Sequence, residues 1–215
     1  MAHYFANTLD KSHDFSGEYL CQFDPSAIIY RATWDDSIDL SQYIQQFVCI
    51  LTGAADGVAD VTLPISSFQC RYRNDDPTYL SVVVPGIAYS THISARPNGE
   101  LVIYGRLVKN GSVYLQAEIV RVDLESIRFD RGGKSKSISL SGHKTTAWVN
   151  QSITLTEHTY YSETNGKRTY RFAKPHMGLR PNDTLVVGTD SMVVGMISYA
   201  VSPKSQSMEV TEVDA

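Results

Sequence analysis

The chain has 215 residues, of which 42% are hydrophobic and 20% charged, and its formal net charge is -4. These values are typical of a globular protein, and a chain of this length buries about 70% of its unfolded surface. The small negative charge excludes a general attraction to DNA or to anionic lipid, so we expect neither a membrane partner nor specific nucleic-acid binding. No run approaches about 18 apolar residues, which argues against a spanning helix, and the N-terminus lacks the basic and apolar regions of a signal peptide.

The first part of the chain gives few structural signals. Residues 1–30 are mixed and weakly periodic, and we interpret them as an extended arm that packs on something else, such as a neighbouring subunit. Residues 40–52 fit two structures equally well. Their apolar residues recur at helical spacing, but the run is short and rich in strand-forming residues, so helix and strand stay open.

From residue 60 onward, strand signals dominate. Asn-Gly pairs occur at 98–99, 110–111 and 165–166, and such pairs favour type I′ hairpin turns because both residues tolerate positive φ. The second and third pairs are flanked by β-branched and aromatic residues. GTDS at 188–191 predicts a fourth hairpin, and MEVTEVDA at the C-terminus predicts a last edge strand.

These signals predict a mainly β fold of small β-barrel or sandwich modules with hairpins and at most one short helix. We divide the chain into the arm (1–30), a first β module (31–125) and a second β module (126–215). Two segments resemble one another, since each has a Pro-Asn pair followed by strand, turn and strand. The pairs are Pro97-Asn98 and Pro181-Asn182, and either a duplicated module or two generic hairpins explains them.

The letters GGKS at 132–135 resemble the end of a phosphate-binding P-loop. A P-loop needs a glycine five positions before Gly133, and Arg128 stands there. The residues that follow alternate between polar and apolar, as in a half-buried strand, and the helix that holds the phosphate is missing. We therefore expect a Gly-Gly turn and a strand here, with no nucleotide and no other cofactor.

Other chemistry is equally poorly supported, and we predict a protein that is not an enzyme. Asp130, Ser141 and His143 could suggest a catalytic triad, but no nucleophile elbow or oxyanion hole is visible. No metal site is predicted either, because the histidines lack ligand spacing and the Asp pairs lie in no calcium loop. The histidines are His3, His13, His92, His143, His158 and His176, the Asp pairs are Asp35-Asp36 and Asp75-Asp76, and the cysteines, expected as buried thiols, are Cys21, Cys49 and Cys70.

A local cluster of basic residues lies between positions 128 and 144. We interpret it as a solvated hairpin; the alternative is a patch facing an acidic partner or nucleic acid, although the stacking aromatics of single-strand binders are missing. Its members are Arg128, Arg131, Lys134, Lys136 and Lys144.

The order of four longer blocks resembles the hub and baseplate proteins of tailed bacteriophages. The first two blocks are LPISSFQCRYRNDDPTYLSVVVPG and ISARPNGELVIYGRLVKNG, and the third is IRFDRGGKSKSISLSGHKT. The last is GLRPNDTLVVGTDSMVVGMISYAVSPKSQSMEVTEV. Within it, Leu179 to Asp183, Val193 to Val201 and Met208 to Val210 match the closing pattern of these proteins. The resemblance covers residues 60 to 213.

The resemblance implies a structural protein of the phage virion, made in the bacterial cytoplasm, that oligomerises into a ring at the distal end of the tail. Its implied partners are copies of itself, the tail tube and other tail-tip proteins. The alternatives are a head–tail connector or tail-completion protein, and a β-sandwich module that binds carbohydrate or a receptor through some of the thirteen tyrosines. A hydrolase with dispersed carboxylates is a further alternative.

Overall fold

The fold is described from a computed structural model. It describes residues 21–23, 44–74, 76–130, 132, 136–146, 150–173, 176, 178–202 and 205–213. The predicted N-terminal arm, residues 1–30, lies outside these ranges except for residues 21–23.

The described residues form a mainly β structure, which confirms the predicted fold class. Its helical elements are the short helix α1 (Ser90–Ser94) and a 3-10 turn at Ala54–Asp56. The strands are β1 (Cys21–Phe23), β2 (Ile44–Leu51), β3 (Val61–Leu63), β4 (Ser67–Arg73), β5 (Thr78–Pro85), β6 (Glu100–Lys109), β7 (Ser112–Asp130), β8 (Ser137–Lys144), β9 (Ser152–Leu155), β10 (Tyr160–Thr164), β11 (Lys167–Phe172), β12 (Thr184–Val187), β13 (Asp190–Val201) and β14 (Gln206–Glu212).

The strands join in one sheet whose main path is β1-β2-β6-β7-β8-β5-β4-β13-β14-β11-β10. β3 pairs with β2, and β12 joins β13 to β9. All described pairings are antiparallel except that between β9 and β12. The described path has two ends and does not close into a barrel. The predicted edge position of the last strand is wrong, because β14 pairs with β13 on one side and β11 on the other.

Residues 44–51, where helix and strand were both open, form strand β2. Phe47, Val48, Cys49 and Leu51 are all fully buried, so both faces of this strand are covered. A strand buried on both faces does not alternate between polar and apolar residues. The helical spacing of its apolar residues is therefore a by-product of a nearly continuous apolar run.

Three of the predicted hairpins are present. Asn110 and Gly111 connect β6 to β7, Asn165 and Gly166 connect β10 to β11, and all four have positive φ, as a type I′ turn requires. β12 and β13 form the fourth predicted hairpin. The pair at 98–99 is different, because it connects α1 to β6 and neither residue has positive φ. The prediction of a hairpin at this pair is therefore wrong.

The hydrophobic core lies between two parts of the same sheet. Phe47 of β2 contacts Phe68 of β4 edge to face, with ring centroids 5.1 Å apart. Tyr72 of β4 donates a hydrogen bond from its hydroxyl to the carbonyl oxygen of Ile119 in β7, at 3.0 Å. β2, β6 and the first half of β7 therefore fold over β4 and its neighbours, and one core serves the whole sheet.

The 19-residue strand β7 makes this folding over possible. Its first part pairs with β6 and its last part with β8, and the register shifts between Leu124 and Ser126. Glu125 is the additional residue of this bulge, which bends the strand. Opposite it lies Gly142, where a Cβ atom would stand 1.7 Å from the carbonyl oxygen of Asp123. Only glycine allows the two backbones to come this close.

The proposed division into modules at 31–125 and 126–215 stays a prediction. β7 crosses the boundary between them, and β4 pairs with β13 while β5 pairs with β8. Strands from both parts thus lie side by side in one sheet.

Among the residues described above, no helix has the length and apolar character needed to cross a lipid bilayer.

Glu212 of β14 is held by Arg168 of β11, and this pair predicts a pH-dependent contribution to stability. The Arg168 Nε atom donates to Glu212 Oε2 at 2.9 Å. This hydrogen bond is the main reason why the pKa of Glu212 lies below its ordinary value. A carboxyl group of this kind stabilises the fold above its unfolded-state pKa, and the contribution disappears as the pH falls through the folded-state pKa.

We therefore expect Glu212→Gln to lower the free energy of unfolding by about 1 kcal/mol at pH 7 and by less at pH 3. Urea unfolding at the two pH values measures the difference. An equal loss at both would show that the charge of Glu212 does not stabilise the fold.

Candidate functional site

The segment with the letters GGKS joins strands β7 and β8, and no helix follows it. Asp130 and Ser137 are paired at the base of this connection. Gly132 is described, whereas residues 131 and 133–135 lie outside the described ranges. Strand β8 alternates between buried and more exposed residues up to Gly142, which confirms the predicted alternating strand.

Asp130, Ser141 and His143 do not form a triad. Ser141 and His143 lie on the outer face of β8, while Asp130 pairs at the opposite end of that strand. The imidazole of His143 instead contacts an exposed carboxylate, since its Nδ1 atom lies 2.7 Å from Glu125 Oε2. The carboxylate partner of His143 is therefore Glu125 and not Asp130.

The described histidines lie in separate environments. His92 of α1 lies beside Tyr89, and His176 is buried. The ring of His158 contacts that of Tyr170 edge to face, with ring centroids 5.2 Å apart. Across the described ranges, no group of three His, Cys, Asp or Glu side chains is arranged to hold a metal ion. His3, His13, Asp35, Asp36 and Asp75 lie outside those ranges.

Cys49 and Cys70 are buried free thiols, as predicted. Burial raises the pKa of each to about 12, so both stay protonated and unreactive at neutral pH. The side chain of Cys21 is outside the described part of the structure.

The predicted basic cluster is not a single patch. Lys136 precedes β8 and Lys144 ends it, so the length of a strand, roughly 26 Å, separates them. Lys144 contacts Glu100 and Asp123, whereas Arg128 and Lys136 are exposed. Arg131 and Lys134 lie outside the described ranges.

The segment LRPND, which carries part of the family resemblance, forms a tight turn before β12. The Asp183 N–H donates to the Arg180 carbonyl oxygen at 3.1 Å, and Asn182 has a φ of 66°. Pro at the second position and positive φ at the third are the features of a type II turn. The buried Asp183 carboxylate accepts hydrogen bonds from the N–H groups of Arg180 (2.7 Å) and Gln151 (2.9 Å).

Asp183 is thus the acceptor that fixes the turn, and its replacement has a predictable cost. In Asp183→Asn one carboxylate oxygen becomes an NH₂ group, which cannot accept a hydrogen bond from an N–H donor. We expect the free energy of unfolding to fall by about 2 kcal/mol, measured by urea unfolding. Asp76→Asn, at an exposed ion pair with Arg73, is the control. Equal effects of the two changes would contradict the assigned role of Asp183.

The side chain of Arg180 is buried on the ring of Tyr72, with 4.4 Å between the guanidinium carbon and the ring centroid. Its Nη2 atom donates to the Ile119 carbonyl oxygen at 2.9 Å, and its Nη1 atom donates to the Leu179 carbonyl oxygen at 2.8 Å. The Tyr199 hydroxyl also donates to Leu179, at 3.1 Å. This buried network ties the LRPND turn to strands β4, β7 and β13, and its role is structural.

The other Pro-Asn segment also forms a turn, but Asn98 lacks positive φ, so this turn is not of type II. The Gly99 N–H donates to the Arg96 carbonyl oxygen at 3.2 Å, and Arg96 is also buried. Its Nε atom donates to the Ala59 carbonyl oxygen at 2.9 Å. Both segments therefore place a buried arginine on backbone carbonyls, immediately before a strand that enters a hairpin. The repeated Pro-Asn pair was visible in the sequence, but the shared role of the two arginines was not.

The outer face of the sheet carries a row of charged, aromatic and hydroxyl side chains that crosses seven strands. Each member pairs with the next across neighbouring strands. In strand order from β10 to β8 they are Tyr160, Arg171, Glu209, Ser198, Arg71, Tyr79 and His143. We call this set the outer row. It was missed from the sequence because its members come together only through the strand register.

Both ends of the outer row are ordered by stacking, and its middle is open. Arg71 lies 5.7 Å from the Tyr79 ring, and Arg171 lies 5.7 Å from the Tyr160 ring. Arg171 also forms an ion pair with Glu209, at 2.6 Å. Arg71 has no carboxylate partner in the described part of the chain.

A groove of about 580 Å³ lies beside the middle of the outer row. Its lining combines residues of the outer row, among them Arg71, Arg171 and Glu209, with short side chains on β13 and β14. Those short residues are Ser198, Ala200 and Ser207. The groove is open to solvent, and both polar and apolar groups line it.

Strand β10 is the end of the described sheet and carries exposed aromatics. Tyr160 and Tyr161 are 51% and 42% exposed, and they point to opposite faces of the strand. Tyr161 stacks on Tyr170, with ring centroids 4.9 Å apart. Among the described residues, β10 pairs with one strand, β11.

No protein-family model matches the chain and no curated protein is similar to it. The solved structures that are similar in part include two tail proteins. The 43 kDa tail protein of prophage MuSo2 from Shewanella oneidensis has a TM-score of 0.48 at 7% identity, with 79% of this chain and 96% of that chain covered. The tail protein from Neisseria meningitidis MC58 has a TM-score of 0.46 at 7% identity, with coverage of 78% and 96%. At these TM-scores neither likeness establishes a shared fold or function.

Proposed function

We propose that the protein is a structural component of a phage virion, a hub or baseplate protein that forms a ring at the distal end of the tail. The observation that carries the proposal is the order of the four sequence blocks that resemble such proteins. The first block contains β4 and β5, and the second contains β6. The third contains the end of β7 and all of β8, and the last contains β12, β13 and β14. Seven of these strands are consecutive in the sheet, as β6-β7-β8-β5-β4-β13-β14. The resembling blocks therefore form one physical unit, although they are separate in the sequence.

The surface of the molecule is compatible with assembly. An exposed strand edge invites pairing with another chain, and natural proteins cover or complete such edges. β10 offers an edge of this kind with two partly exposed tyrosines. Tyrosine is enriched in protein interfaces, where its ring contributes contact area and its hydroxyl a hydrogen bond. In a ring, the neighbouring subunit completes the sheet.

A structural role also agrees with what the motif residues do. Arg180 and Asp183 of the LRPND turn are occupied by backbone groups of the fold. Gly142 of the ISLSG segment allows close approach of two strands. These residues build the sheet, and none of them presents a reactive group to solvent. The proposed partners are accordingly other copies, the tail tube and neighbouring tail-tip proteins.

Immunogold electron microscopy of virions that carry the protein tests the proposal. We expect antibody-bound gold at the distal tip of the tail. Gold at the junction of head and tail would support the alternative of a connector or tail-completion protein. Virions without gold, together with protein found free in the lysate, would overturn a virion role of either kind.

A carbohydrate-binding module is the second candidate, and the aromatic residues Tyr160 and Tyr161 are the observation that favours it. Aromatic rings stack on the apolar faces of sugars, and both rings are accessible. This alternative predicts glycan-array binding by the isolated chain, lost in Tyr160→Ala and Tyr161→Ala. A hub protein requires no such binding.

A further inference from the structure

We propose that the groove beside the outer row is the docking site for the N-terminal residues 1–20 of a second copy of this chain. The proposal deepens the proposed function, because it rests on self-association. The groove supplies one half of the contact, and the charge distribution of the chain points to the other half.

The chain divides sharply in charge. Residues 1–43 contain seven acidic and two basic residues, a formal charge of -5. The remaining residues, 44–215, contain sixteen acidic and seventeen basic residues, a formal charge of +1. The overall charge of -4 therefore comes from the N-terminal region. Opposite charge on two surfaces favours their encounter and fixes their register.

Within that region, residues 1–20 precede strand β1, and residues 24–43 connect β1 to β2. Twenty residues extend to at most about 66 Å, which is enough to reach a neighbouring molecule. The segment carries three acidic residues (Asp10, Asp14 and Glu18) and one basic residue (Lys11), a formal charge of -2, together with four aromatic residues.

The groove matches a segment of this composition. Arg71 stands at its border with its guanidinium stacked on Tyr79, so the donors of Arg71 are partly fixed in place. A planar guanidinium binds a carboxylate with two parallel hydrogen bonds. The short residues Ser198, Ala200 and Ser207 leave room for a backbone and its aromatic side chains.

Reversal of the charge at Arg71 tests this contact. We expect Arg71→Glu to weaken self-association of the full chain about tenfold, as measured by sedimentation equilibrium. Arg73→Glu is the matched control, since Arg73 is exposed on the same strand but already pairs with Asp76, and we expect its association to be unchanged. Ala200→Phe, at an exposed position of the groove, is expected to weaken association by filling the groove. Circular dichroism confirms that each variant is folded.

A second experiment reverses the charge of the segment. The triple variant Asp10→Lys, Asp14→Lys and Glu18→Lys is expected to associate as weakly as Arg71→Glu. An equimolar mixture of the two should associate again, because the altered segment of one matches the altered groove of the other. Association that is unaffected by Arg71→Glu, or a mixture that fails to recover, would overturn the proposal.

A photo-crosslinker at position 15 in the full chain identifies the bound copy. In a mixture of ¹⁵N-labelled and unlabelled protein, crosslinks from position 15 to β4 or β13 peptides of the other isotope support docking on a second copy. Crosslinks confined to one isotope would overturn it. If the chain self-associates but Arg71→Glu has no effect, only the docking proposal fails, whereas a chain that never associates contradicts the proposed ring as well.

Discussion

Gly142→Ala is expected to lower the free energy of unfolding by about 4 kcal/mol, at the upper end of what single substitutions do. A Cβ atom at this position would lie 1.7 Å from the Asp123 carbonyl oxygen and 2.8 Å from the Asp123 carbonyl carbon. Both atoms belong to the backbone of β7, so no side-chain rotation relieves the overlap. Relief requires β7 and β8 to separate at the bulge, which breaks the pairing that folds the sheet over its core.

Gly132→Ala is the matched control for this prediction. Gly132 lies between the same two strands, but the nearest atom to its added Cβ is a carboxylate oxygen of Asp130 at 3.6 Å, an ordinary contact. We expect a change within about 0.5 kcal/mol. Urea unfolding monitored by tryptophan fluorescence measures both variants. A Gly142→Ala protein as stable as the wild type would show that the strands do not approach as described.

Arg180→Ala is expected to lower the free energy of unfolding by about 3 kcal/mol, because it removes two hydrogen bonds and the buried contacts with the Tyr72 ring. The change leaves a cavity at the junction of the LRPND turn with β4 and β7. Arg180→Met restores much of the volume but none of the donors, so we expect a smaller loss. The difference between the two separates the contribution of packing from that of the guanidinium.

The control for Arg180 is Arg73→Ala. The Arg73 side chain is 48% exposed and pairs with Asp76 at the surface, and exposed pairs contribute about 0–1 kcal/mol. Thermal unfolding or urea unfolding ranks the three variants. If Arg180→Ala and Arg73→Ala have the same small effect, the buried network does not hold the turn in place.

The sequence predicted those parts of the fold that depend on local chemistry. Asn110-Gly111 and Asn165-Gly166 gave correct hairpins because only a few residues tolerate positive φ at both positions of a type I′ turn. The alternation after Lys134 identified strand β8, which begins at Ser137, and argued against a P-loop helix. At 98–99 the same dipeptide does not form a hairpin, since its position beside helix α1 and strand β2 determines its conformation.

Features that depend on register could not be predicted. The outer row brings together residues as distant as Arg71 and Arg171, and no local pattern shows that Ser198 lies between their strands. Strand β14 appeared as an edge because its polar and apolar residues alternate, yet it has a neighbour on each side. Arg180 lies in a motif that was recognised, but its side chain is buried against the ring of Tyr72, which is more than one hundred positions away in the sequence.

Self-assembly of this chain can be measured by combining molecular mass with imaging. Light scattering of the purified full chain, followed by negative-stain electron microscopy, gives the number of copies and their arrangement. We expect closed rings of several copies. A strictly monomeric protein at every concentration tested, which also binds no virion component, would contradict it.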